Sequence, residues 1–300
     1  MKLAPILLFI YNRPDHAART IEALKKNILA KQSDLIIFSD APKDEKASNG
    51  VAAVRKYART VSGFKSIKII ERKSNYGLAK SIIDGVTKIV NSHGRVIVVE
   101  DDLVTSKYFL QYMNDALNKY VSNNDVASIS AYSYPAPGLP ETFFIKGADC
   151  WGWATWKRAW KYFEKDGKKL LKRLEEKKLT NEFDFWGTYP YTKMLRQQIQ
   201  GKNSSWAIRW YASAFLAGML TLYPGKSLVT NIGTASGGTH SGRINKYFGK
   251  VSDSHVDLKQ ISVTEDMQAK KLFSLFFLYN QSIIGRILFD VVYAIKGILR

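Results

Sequence analysis

The sequence predicts an α/β fold, a mainly parallel sheet flanked by helices. Short, β-branched apolar runs alternate with helical patterns over the first 130 residues. The runs lack polar alternation, as strands covered on both faces do. Four of them are followed directly by polar, turn-forming clusters. The chain has 300 residues, 46% hydrophobic and 24% charged, which suits one large α/β unit and excludes a disordered chain.

The elements follow in order. Pro5–Tyr11, Leu35–Phe38, Ile67–Ile70, Val96–Val99 and Val126–Ser130 read as strands. His16–Asn27, Val51–Val61, Leu78–Val90 and Tyr108–Tyr120 read as the helices between and after them. This βαβα order makes neighbouring strands parallel, because each crossover returns the chain to the same edge. Beyond Ser130 the character changes. Ser133–Pro140 is a proline-rich loop, and Trp151–Trp160 is dense in tryptophan. Lys157–Lys178, with ten basic and four acidic residues, reads as an exposed helix. Phe183–Trp210 is again aromatic, and Asn231–Gly242 is glycine-rich. The change near residue 130 divides one fold into halves, 1–130 and 131–260, with 261–300 as a C-terminal amphipathic helical tail.

Forty-five basic against 26 acidic side chains give a net charge of +19, which predicts an anionic partner. A single cysteine, Cys150, excludes an internal disulfide framework and a cysteine-rich zinc site. Met1–Tyr11 reads as a buried strand rather than a signal peptide, given the early Pro5 and the lack of a small-residue cleavage site. Nor is there an uninterrupted apolar run of about 18 residues, the length a spanning helix needs. Ile284, Leu288, Val291, Val292, Ile295, Ile298 and Leu299 recur at helical spacing, interrupted by Arg286, Asp290, Lys296 and Arg300. That pattern fits a helix packed on its own domain, or one lying on an anionic bilayer.

Ligands of parallel α/β sheets bind at the carboxyl ends of the strands. Those ends here are Tyr11-Asn12-Arg13-Pro14, Ser39-Asp40, Asn75-Tyr76-Gly77-Leu78-Ala79-Lys80 and Glu100-Asp101-Asp102. Strand alternation would send Glu100 and Asp102 to one side and Asp101 to the other. Three adjacent anions call for a cation, and a hard divalent ion such as Mg²⁺ or Mn²⁺ would take their oxygens and bridge a diphosphate. The alternative, that the acids cap the next helix, is outweighed by the convergence of the other strand-end clusters on the same edge. Gly77 and Lys80 at a helix start suit phosphate. No G-x-G-x-x-G or P-loop motif is present.

These blocks, with Trp151-Gly152-Trp153-Ala154-Thr155-Trp156, Asn231-Ile232-Gly233 and Gly238-Thr239-His240, resemble the glycosyltransferases of the GT-A fold. The chain is similar to bacterial family 2-like sugar transferases and, more distantly, to the N-acetylglucosaminyltransferase I family. The resemblance implies a Rossmann-like nucleotide-sugar-binding half before residue 130 and an aromatic-rich acceptor half after it. It implies that Asn12 and Arg13 contact the nucleotide and Asp40 its base, with Asn75, Gly77, Lys80, Glu100 and Asp101 lining the donor site. Asp102 is the implied metal ligand, supported by Asp101, with His240 closing over the metal or diphosphate. Sugar rings stack on indole, so Trp151 and Trp153 are the candidate acceptor contacts.

Inverting relatives carry an acid between closely spaced tryptophans, and here that stretch is Trp206-Ala207-Ile208-Arg209-Trp210. The candidate base is therefore Asp149, then Asp184, and Arg209 is a candidate for the leaving diphosphate. The expected donor is a UDP-sugar and the acceptor a glycan or lipid-linked glycan of surface polysaccharide synthesis. The expected location is cytoplasmic, at the inner membrane face. A sugar nucleotidyltransferase is the competing enzyme, but the glycine-rich basic loop such enzymes carry after strand one is missing at Asn12-Arg13-Pro14-Asp15. A nucleic-acid-binding protein would match the charge, yet no helix-turn-helix, zinc-finger or RNP-like signature occurs.

Overall fold

The computed structural model describes residues 3–233 and 251–281. Ten strands are described: β1 Ile6–Ile10, β2 Asp34–Ser39, β3 Ser66–Glu71, β4 Arg95–Glu100, β5 Leu103–Thr105, β6 Val126–Ser130, β7 Thr142–Ile145, β8 Trp153–Trp156, β9 Leu220–Pro224 and β10 Val229–Asn231. The α-helices are α1 Pro14–Lys25, α2 Glu45–Ala58, α3 Gly77–His93, α4 Phe109–Lys119, α5 Lys157–Trp160, α6 Gly167–Glu176, α7 Thr180–Phe183, α8 Tyr191–Ile199, α9 Ala207–Leu216 and α10 Met267–Gln281.

Eight strands form one sheet in the order β3-β2-β1-β4-β8-β6-β9-β7. The first four are parallel, with Leu8 aligned to Ile37 and Val99. All five β1 side chains are buried, which accounts for that run having no polar alternation. Helix α3 packs closely on this half. A Cβ at Gly85 would stand 2.8 Å from the Phe9 ring, so only glycine allows the approach.

The second half of the sheet is mixed. β8 is antiparallel to both β4 and β6, and β7 is antiparallel to β9. The chain leaves β6 at its carboxyl end, makes β7, and re-enters the sheet from the carboxyl side. A strand entering there must run against β4. The tryptophan block thus supplies a central strand. Trp153 is 1% exposed and stacks on Trp206 at 5.3 Å, with Trp160 and Trp210 beside it.

The basic stretch after β8 is two helices rather than one. The chain breaks between α5 and α6, and Asp166 caps α6 by accepting from the Lys168 and Lys169 amides. α6 also buries Leu170 and Leu174, so it is amphipathic rather than fully exposed. Helix α10 packs Phe273 and Phe277 against Tyr134, with Phe273 also on Tyr223. On the same helix Lys270, 1% exposed, is paired with Glu265 at 3.0 Å. Among the described residues no helix is long and apolar enough to cross a membrane. The 284–299 pattern and His240 lie outside the described residues.

Candidate active site

The carboxyl ends of β1, β2 and β4 lie side by side, since β1 pairs with both of the others. β4 ends at Glu100, and Asp101 and Asp102 form the turn that follows. Strand alternation therefore stops before the two aspartates. Both reach the same partner, because Arg13 Nη2 donates to Asp101 Oδ1 and, at 3.0 Å, to Asp102 Oδ2. Arg13 is presented by the turn that opens α1, where Pro14 sits at the first helical position.

Asp101 is 5% exposed. The Tyr11 amide donates to its Oδ2 at 3.2 Å, and the Thr20 hydroxyl donates to its carbonyl at 2.8 Å. Asp102 is more open, with a side chain 16% exposed. Asn231 on β10 approaches Asp102 Oδ1 with its amide at 3.5 Å, and the Ile232 N–H donates to the Asp102 carbonyl at 2.8 Å. Gly233 lies so close that a Cβ there would stand 2.3 Å from Asp102 Oδ2.

Electrostatics follow from this crowding. Burial, then the charges of Asp102 and Asp101, push the Glu100 carboxyl up to about 8, against the pull of Arg13. Burial also raises Asp101, opposed by Arg13. Burial lowers the Arg13 guanidinium, but the charges of Asp101 and Asp102 outweigh it and leave the group above its ordinary value.

Asp40 faces backbone. Its carboxylate accepts from the amides of Ala41 at 3.0 Å, Tyr76 at 2.9 Å and Gly77 at 2.8 Å. Asp40 thereby joins the end of β2 to the start of α3. Asn75 assists by donating to the Ala41 carbonyl at 2.7 Å. Gly77 has φ +69° with open space around it, and Lys80 one turn on holds its ammonium 4.2 Å from the Tyr76 ring. Asn12 lies under α2, where a Cβ at Gly50 would stand 2.6 Å from its carbonyl oxygen.

Trp153 is core and cannot meet an acceptor, which corrects that expectation. Trp151 is half-buried, edge-on to Tyr132 at 4.7 Å. Arg209 donates to the carbonyls of Ser205 and Lys165, tying α9 to the α5–α6 loop, and is not among the partners of the acidic turn. Asp184 accepts from the Thr192 amide and hydroxyl, at 2.6 and 2.8 Å, and so braces the start of α8.

Asp149 is held by two phenols, Tyr134 and Tyr223, each donating at 2.8 Å. Burial raises its carboxyl, opposed by those bonds. The neighbouring Cys150 thiol is pushed well up, by burial first and then by the charges of Asp149 and Glu100. Sequence reading missed this phenol pair, and it missed Asn231 and Gly233 on Asp102.

The donor set admits a hard divalent cation through one residue. Asp101 is 5% exposed, with both oxygens hydrogen-bonded, so it is the less accessible of the two acids. The more open Asp102 carboxylate does fit an ion whose remaining positions go to phosphate and water. Among the described residues no three His, Cys, Asp or Glu side chains form a metal-binding group.

Residues 6–188 match the family model of glycosyl transferase family 2. The chain belongs to glycosyl transferase family 2. Its large central sheet flanked by helices matches the GT-A fold. Among solved structures it is similar to TarS of S. aureus, 17% identical over 47% of this chain and 23% of that one, with a TM-score of 0.31. A TarS fragment, 1–349, is 13% identical over 76% and 60% of the two chains, with a TM-score of 0.43. The mannosyltransferase PcManGT of Pyrobaculum calidifontis, in complex with GDP-Man and Mn²⁺, is 11% identical over 71% and 74%, with a TM-score of 0.37. The chain thus spans under a quarter of the first of these. No curated protein matches it.

Proposed function

We propose that this glycosyltransferase moves a sugar from a nucleotide-sugar, a UDP-sugar first, to a hydroxyl of a glycan or lipid-linked glycan, with inversion and with a divalent cation on Asp102. The observation that carries the reading is the Arg13–Asp101–Asp102 cluster at the joined ends of β1 and β4, beside the Asn75–Lys80 helix start. Arg13 and Lys80 supply positive charge for a diphosphate, and Gly77 lets backbone approach it. A cation, when bound, would neutralise charge on the leaving diphosphate.

Asp149 is the base in this reading. Burial disfavours its charge and so raises its affinity for a proton, and Trp151 two residues on offers a ring to the acceptor. Asp184 is the lesser candidate because its Oδ1 already serves α8. With +19 net charge and a basic tail, the chain would work in surface polysaccharide synthesis at the inner face of the cytoplasmic membrane.

The test is turnover of a nucleotide-sugar panel with and without Mn²⁺. Asp102→Asn should lose the Mn²⁺-dependent rate with folding intact, and Asp149→Asn should lower kcat with donor KM unchanged. Full Mn²⁺-dependent turnover in Asp102→Asn would sink the metal assignment. Removing residues 283–300 should release the protein from phosphatidylglycerol vesicles, and unchanged sedimentation with them would reject the membrane role of the tail.

A further inference from the structure

Arg13 holds the acidic turn through one nitrogen, Nη2, which bonds both Asp101 and Asp102. Asp101 has a second anchor in the Tyr11 amide. Among the described residues, Asp102's carboxylate is otherwise approached by the Asn231 amide at 3.5 Å, at the limit of a hydrogen bond. Gly233 closes the other side, since a Cβ there would stand 2.3 Å from Asp102 Oδ2 and 2.9 Å from Arg13 Nη1. The guanidinium therefore sits against the same carboxylate that a cation would need.

We propose that Arg13 is a latch on Asp102: it blocks a divalent cation in the empty enzyme and releases the carboxylate when a nucleoside diphosphate binds. This rests on the reading of Asp102 as the cation ligand. Two carboxylates and one guanidinium sum to −1. A dication entering alone would make the cluster +1, with two cations competing for one carboxylate. A diphosphate changes the balance. It brings negative charge, and its oxygens match the guanidinium fork, so Arg13 exchanges one charge-assisted bond for another. Arg13 has the freedom to do so, with its side chain 32% exposed. Asp101 stays behind as its fixed anchor.

Linkage makes the coupling reciprocal: the nucleotide strengthens cation binding as much as the cation strengthens nucleotide binding, typically by about 5–150-fold. Arg13 is a positioning residue in this step, and the readout is binding rather than turnover.

The experiment measures Mn²⁺ binding to the full chain by electron paramagnetic resonance, without nucleotide and with UDP or GDP. The nucleotide-free arm is decisive, because free nucleotide chelates the metal itself. Wild type should bind Mn²⁺ weakly alone. Arg13→Gln should bind it about tenfold more tightly without nucleotide, within the usual coupling range. It should also gain less than wild type when UDP is added. Should Arg13→Gln fail to fold, Arg13→Met keeps an unbranched stem, removes the charge and both bonds to the acidic turn, and is read the same way. Wild-type Mn²⁺ affinity in the nucleotide-free variant overturns the latch. Asp102→Asn separates the two failures. If it loses Mn²⁺ while the Arg13 variants bind as wild type, the latch falls and the ligand stands. If Arg13→Gln/Asp102→Asn binds Mn²⁺ without nucleotide as tightly as Arg13→Gln does, the ligand reading falls first.

Discussion

Replacing Asp40 with Ala removes one carboxylate that answers three backbone amides, those of Ala41, Tyr76 and Gly77. Asp40 is 6% exposed, so water cannot simply take its place. Two of the amides belong to the first turn of α3, where a negative charge also meets the helix dipole. Bonds to charged groups are worth about 1.5–3 kcal/mol when buried, but the Asn75–Gly77 loop is open enough for partial rehydration. About 1 kcal/mol for each of two amides, plus about 1 kcal/mol for cap and dipole, gives a loss of about 3 kcal/mol. Asp40→Asn keeps one acceptor oxygen, loses the charge and turns an NH₂ toward an N–H, for a loss of about 2 kcal/mol. Urea unfolding followed by circular dichroism reads both. A loss below about 1 kcal/mol in Asp40→Ala, or a wild-type midpoint in Asp40→Asn, would refute the assignment of Asp40 as the brace of α3.

Two further outcomes follow from the acidic turn. Gly233→Ala places a methyl on Asp102 and should lower turnover about 10–100-fold by displacing that carboxylate, while shifting stability by less than about 1 kcal/mol; wild-type turnover would contradict the close approach. The Glu100 carboxyl, raised from an ordinary 4.5 to about 8, holds a proton in the folded chain that the unfolded chain releases. Stability of the metal-free protein should therefore fall as pH rises through that window, by at most about 1.4 kcal/mol per unit, and level off above it. Glu100→Gln should flatten the slope of urea midpoints between about pH 5 and about pH 8, and parallel profiles would reject the buried acid.

The sequence by itself determined the parallel half of this protein. Runs such as Ile6–Ile10 and Val96–Val99 are apolar at every position because helices cover both faces of their strands. Turn formers after each strand marked the edge where the Arg13, Asp101 and Asp102 side chains meet. Both signals are local, so they survive in one dimension. The tertiary structure alone decided the rest. Trp151 and Trp153 are equally apolar on paper, yet β8 buries Trp153 between β4 and β6 and leaves Trp151 half-open. Asp40 and Arg209 carry ordinary binding side chains, and the fold spends one on three amides and the other on two carbonyls. Which partner a charge finds depends on segments tens of residues away, and spacing along the chain does not encode that distance.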